Sequence, residues 1–120
     1  MPDKRYNLQE SQKKLLFLVQ DGQFLDVDEI IKAMLEDNNP FDLEIVDTTG
    51  DSLVGMAAKR NDLDTIKVLL AHGAPVDKAN VYTGIKPIIH AKVNKNKSME
   101  DYLQQHIDKA ETSKNFKQSP

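Results

Sequence analysis

The chain carries three histidines, two neighbouring aspartates, two serines ahead of helical stretches and a run of lysines that could do chemistry. His72, His90 and His106 show neither H-x-x-x-H nor H-E-x-x-H spacing, and metal ligation needs several converging ligands. His72 precedes Gly73, where an imidazole meets a helix C-terminus favourably, so structural roles are expected. Asp47 and Asp51 share one turn, but the calcium-loop spacing D-x-[DN]-x-[DN]-G is missing. Ser52 and Ser98 read as helix caps, because no motif sets a base beside either. No glycine-rich phosphate loop follows a strand. Lys86, Lys92, Lys95 and Lys97 crowd one stretch, but arginine is confined to Arg5 and Arg60 and aromatic residues are few. A solvated face is the main reading of that cluster, with nucleic acid or an acidic protein surface as alternatives. No catalysis, metal or cofactor is expected, and no nucleic-acid partner.

The elements that must position these residues are helices. Val27, Ile30, Ile31, Met34 and Leu35 recur at helical spacing, as do Leu63, Ile66, Leu69 and Leu70, and then Met99, Tyr102, Leu103 and Ile107. Capping pairs open each stripe: Asp26 with Glu29, Asn61 with Asp64, Ser98 with Asp101. "DNNP" and "HGAP" end the first two stripes through a left-handed residue. A shorter helix precedes each stripe: roughly Leu8 to Asp21, then Ser52 to Arg60, then Pro87 to about Val93. In the middle one Gly55, Ala57 and Ala58 are small enough for a neighbouring helix to approach. Pro87 suits a first helical position, where its missing N–H costs nothing.

The units repeat. Ile31, Leu35, Pro40, Phe41 and Asp42 match Ile66, Leu70, Pro75, Val76 and Asp77 at an offset of 35, and Gly50 matches Gly84 at 34. "QFLD" (Gln23 to Asp26) reads as a four-residue insertion in the first unit. From about Thr112 the sequence is polar and aperiodic, and fraying is expected there.

At 120 residues, with 39% hydrophobic and 29% charged, the chain suits one modest folded domain. It has no cysteine, which excludes a disulfide scaffold and fits a reducing compartment. Its longest apolar run, Leu15 to Val19, is far too short to cross a membrane, and the polar N-terminus lacks a signal-peptide core. A soluble, cytoplasmic monomer is expected. Charge is uneven: ten acids and one base lie from Asp21 to Asp51, and eight bases and three acids from Ser52 to Lys97. Such polarity either steers a charged partner or is plain solvated surface.

The middle unit, "DTTGDSLVGMAAKRNDLDTIKVLLAHGAPVD", resembles an ankyrin repeat. Asp47, Gly50, Ala57, Ala58, Leu69, Leu70, Gly73, Ala74 and Val76 match that family's pattern, and Ser52 replaces its capping Thr. "KPIIHA" stands where the last unit should read T-P-L-H-x-A, and Lys86 has no acceptor oxygen with which to cap. The resemblance implies an all-α stack of three helix-turn-helix units joined by β-turn or hairpin-like loops. Repeats fall at about 8–42, 43–77 and 78–110 within a single domain, 1–111, followed by a polar tail, 112–120.

The resemblance also implies function: a non-enzymatic module that binds a protein through its turn tips and the concave face of its first helices. The alternative is a bacterial effector or an adaptor, acting on a cellular protein or delivered into a host cell. Mapped onto this chain, the expected contacts are Thr48, Thr49 and Asp51 in the first turn, and Val81, Tyr82, Thr83 and Ile85 in the second. Lys59 and Arg60 join them from a first helix, with Gln20, Asp21, Val93 and Asn94 at the matching places, and His72 lies beside the second turn. Val81, Tyr82 and Ile85 are apolar where a turn is usually polar. They are either partner surface or a local cover for the last unit.

Overall fold

Four helices end in the same turn, and that turn sets the register of the molecule. At Gly22, Asn61, Gly73 and Lys95 the backbone turns left-handed, with φ of 71°, 64°, 91° and 56°. Each time, that residue's N–H and the next one's N–H donate back to carbonyls of the last helical turn. Asn61 N bonds Ala58 O and Asp62 N bonds Ala57 O, and the same pair recurs at Gly22/Gln23, Gly73/Ala74 and Lys95/Asn96. This is the Schellman arrangement, which satisfies carbonyls that a helix end leaves free.

The computed structural model describes the backbone of residues 4–36 and 43–118, and the side chains of residues 12–33 and 43–111. Its helices are α1 (Lys4–Gln20), α2 (Phe24–Glu36), α3 (Leu53–Lys59), α4 (Leu63–Ala71), α5 (Pro87–Val93) and α6 (Lys97–Gln118). The chain is all-α, and one antiparallel bridge, Val46 to Ser52, is the β pairing among the described residues. Helices pair as α1 with α2, α3 with α4 and α5 with α6; α3 packs between α1 and α5, and α2 packs on α4.

The position of α3 between two neighbours explains its composition. Six consecutive residues, Leu53 to Ala58, are buried, so no face is left for polar side chains. Ala57 and Ala58 are fully buried, as expected for a close approach. Gly55 has a different cause: a Cβ there would sit 3.1 Å from the capping Ser52 Oγ and 3.8 Å from Asp51 Cβ. Its small size makes room for the cap rather than for a neighbouring helix.

Several helix starts differ from expectation. Asp62, not Asn61, caps α4: its Oδ1 accepts the Thr65 N–H at 3.2 Å. Asn96, not Ser98, caps α6, accepting the Met99 N–H at 3.1 Å. Asn61 is already committed to the left-handed turn that closes α3, and an N-cap needs extended φ/ψ. One short linker therefore serves both helices, its first residue turning the chain and its second capping. The "QFLD" insertion is not a loop either. Phe24 to Asp26 are helical, which makes α2 longer than α4 by four residues, 13 against 9. Ser52 and Pro87 stand where expected: Ser52 Oγ accepts the Gly55 N–H at 3.0 Å, and Pro87 opens α5, where Lys86 makes no side-chain cap.

The last helix runs to Gln118 rather than ending near Ala110 with a frayed tail from Thr112. No Pro or Gly interrupts 112–118, so nothing in the sequence stops it. "DNNP" and the Pro40 to Asp42 part of the repeat match lie outside the described residues.

The shared turn lets the second and third pairs be compared at an offset of 34. Ala58 and Ile66 are fully buried inside the stack and Leu70 is partly buried. Their counterparts are the polar Lys92, Glu100 and Gln104, and Lys92 and Gln104 are exposed. The α5–α6 pair thus carries polar groups at positions where the α3–α4 pair carries apolar ones.

Candidate functional site

The first turn is built around Asp47. Its Oδ1 accepts the Thr49 N–H (2.9 Å), the Thr49 hydroxyl (2.7 Å) and the Asp51 N–H (2.9 Å). Asn80 plays the same part in the second turn, its Oδ1 accepting the Tyr82 and Thr83 N–H groups at 2.8 and 3.0 Å. Asn80 also ties the two turns together: its Nδ2 donates to Thr49 O at 3.0 Å and to Asp51 Oδ1 at 2.7 Å. Val81 N donates to Gly50 O at 3.0 Å. Gly50 sits at φ 89°, and a Cβ there would lie 2.5 Å from Tyr82 Cδ2. The second turn therefore rests directly on the first.

Next to the first turn, α1 and α3 close a shallow cleft of ≈ 310 Å³ lined by Gln20, Asp47, Thr49, Asp51, Met56, Lys59 and Arg60. An adjoining cleft of ≈ 290 Å³ shares Gln20 and is lined by Lys13, Leu16, Phe17 and Thr48. Five expected contacts, Thr48, Thr49, Asp51, Lys59 and Arg60, thus meet along one groove between the turn and the first helices. A further cleft of ≈ 360 Å³, between α1 and α2, is lined by Lys14, Leu18, Asp26, Glu29 and Ile30 and holds none of them.

Two expected contacts also have structural duties. Asp51 is only 4% exposed. Its carboxylate takes the Asn80 amide and approaches Lys59 Nζ and the Thr49 hydroxyl, each at 3.4 Å. His72 holds Nε2 2.6 Å from Asp28 Oδ1 on α2. That hydrogen bond, followed by one from Lys32, holds the Asp28 carboxyl below its ordinary value of 3.8. His72 therefore links α4 to α2 and is not part of the groove.

The second turn does present apolar side chains. Tyr82 is 76% exposed, Val81 55% and Ile85 41%, and Thr83 is exposed beside them. A side chain that covered the last unit would be buried by it, so the local-cover reading does not fit Val81 or Tyr82. On the first helices Phe17 and Val93 are each 72% exposed, and Asn94 donates to Ala58 O at 3.3 Å.

The sequence reading missed Asn80 as the link between turns. Its signal was the likeness of N-x-x-T-G to D-x-x-G, because Asn and Asp alike fold a turn over their own side-chain oxygen. Phe17 was also missed, having read as part of one apolar run with Leu15, Leu16, Leu18 and Val19. Among the described residues no group of His, Cys, Asp and Glu could hold a metal ion, and no helix is long and apolar enough to cross a membrane. No protein-family model matches the chain, and no curated protein matches it in sequence.

Proposed function

We propose that this chain is a divergent ankyrin-type stack that works, without catalysis, as a protein-binding module. The binding face is the groove between the first turn and helices α1 and α3, continued by the tips of the second turn. One observation carries the reading: Thr48, Thr49, Lys59 and Arg60, expected as contacts from the repeat pattern, line two adjoining clefts that share Gln20. The three helix pairs and the repeated turn support the repeat assignment. The exposed Tyr82 supports the turn tips as contact surface, because a rigidly held aromatic offers large area at low entropic cost.

On this reading the protein acts as a cytoplasmic monomer and needs no cofactor. Affinity capture from lysate, with wild type beside the double variant Tyr82→Ala/Arg60→Glu, tests it. A single partner retained by wild type and lost by a variant with an unchanged melting curve is the expected result. Retention of every bound protein by the variant, or turnover of a small molecule without any partner, would refute it.

A further inference from the structure

Resting on that binding reading, we infer that the groove takes an acidic segment of a partner protein carrying an apolar side chain near its carboxylates. Across the two clefts Lys13, Lys59 and Arg60 outnumber the lining carboxylates Asp47 and Asp51, and those carboxylates are turned to the protein's own donors. Asp47 spends Oδ1 on three hydrogen bonds within its own turn. Asp51 is buried, and its Oδ1 is engaged by Asn80. Asp62, which shares with Arg60 the space above Gly22, is occupied in capping α4: Oδ1 takes the Thr65 N–H and Oδ2 the Thr65 hydroxyl at 2.7 Å.

The cations point the other way. Lys59 reaches Asp51 only at 3.4 Å and its side chain is 59% exposed, so its ammonium keeps donors for a ligand. Arg60 and Lys13 are exposed, and neither forms a salt bridge with another described residue. Arg60 in particular offers a guanidinium fork that suits a carboxylate. Beyond Gln20 the groove becomes apolar at Leu16 and Phe17, and Phe17 is 72% exposed. A carboxylate over Lys59 and Arg60 and an aliphatic or aromatic group against Phe17 would use both halves.

Selection of short random peptides displayed on phage against the full chain, followed by fluorescence anisotropy with the labelled winning peptide, tests this. Enrichment of Asp and Glu around one aromatic or aliphatic residue is expected. Affinity should fall about tenfold in Lys59→Glu/Arg60→Glu. It should also fall on raising salt from about 50 to about 500 mM. Lys92→Glu, on the exposed side of α5, should leave it unchanged, and circular dichroism melts show that each variant is folded. Neutral or basic winners that still depend on Phe17 or Arg60 would overturn the acidic class and leave the binding face standing. Winners indifferent to every groove substitution, or no winners, would overturn the binding face as well.

Discussion

Replacing Asn80 with Ala should cost about 3 kcal/mol. The side chain makes four hydrogen bonds and is 8% exposed at the level of the whole residue. Tyr82 and Thr83, whose N–H groups it accepts, are exposed, so water replaces those two bonds at little net loss. The Thr49 carbonyl loses a neutral donor, worth about 1 kcal/mol. The Asp51 carboxylate loses its shortest donor while buried, and a hydrogen bond to a charged group is worth about 2 kcal/mol. Urea unfolding followed by circular dichroism measures the sum, with Thr83→Ala as control, since Thr83 supplies one exposed bond to Ile85 N. Asn80→Asp should lose more than Asn80→Ala at neutral pH, because it sets a second carboxylate within bonding distance of Asp51, and its deficit should shrink on acidification. A loss for Asn80→Ala under about 1 kcal/mol would mean that water serves Asp51 as well as the amide does, and the account of Asn80 as the link between turns would fail.

Gly50→Ala should destabilise by about 2 kcal/mol, through positive φ and the clash with the Tyr82 ring, whereas Gly84→Ala, at φ 75° with open space around it, should pay about 1 kcal/mol. Equal losses on thermal unfolding would remove Tyr82 from the explanation. Lys95→Gly should stabilise by about 1 kcal/mol, because Lys95 holds φ 56° in a turn where α1 and α4 use Gly; a lower melting temperature would contradict this. Asp28 has its carboxyl pKa lowered by the His72 hydrogen bond first and by Lys32 next. A lowered native value contributes stability above the unfolded value and loses it as pH falls through the native one. Wild type should therefore lose more stability below pH 3.8 than Asp28→Asn does, and parallel acid profiles would refute that.

Much of the helical frame was legible because its signals are redundant. The stripe from Leu63 to Leu70, the cap at Ser52 and the proline at Pro87 each mark α3, α4 or α5 independently, and they agree. Helix starts at Asn61 and Ser98 were misplaced because neighbouring polar residues share the same chemistry and differ only in φ. Whether Asn61 or Asp62 caps depends on which of them closes the preceding helix, and that is settled by tertiary position. "QFLD" failed similarly. An insertion of about one helical turn can lengthen a helix or a loop, and the apolar Phe24 and Leu25 favour neither.

The groove was legible in its membership but not in its sign. Ten acids against one base between Asp21 and Asp51 suggest an acidic surface there. Charge along a chain becomes a surface field only after the backbone has taken what it needs, and the tight turn at Asp47 takes a great deal. Three donors converge on one of its oxygens, and the second turn then takes up the adjoining Asp51 through Asn80. Arg60, at the end of α3, has no such use, because the Schellman turn that closes α3 is satisfied by backbone groups alone, and Lys59 reaches Asp51 only at 3.4 Å. The same folding step that turns the carboxylates inward leaves the cations outward. Hydrogen bonds leave the carboxylate charge in place, so the sign of the groove's field rests on Lys13, Lys59 and Arg60 outnumbering Asp47 and Asp51 along it. The peptide selection measures that sign directly: winners rich in lysine would mean that the aspartates still govern the groove despite their hydrogen bonds.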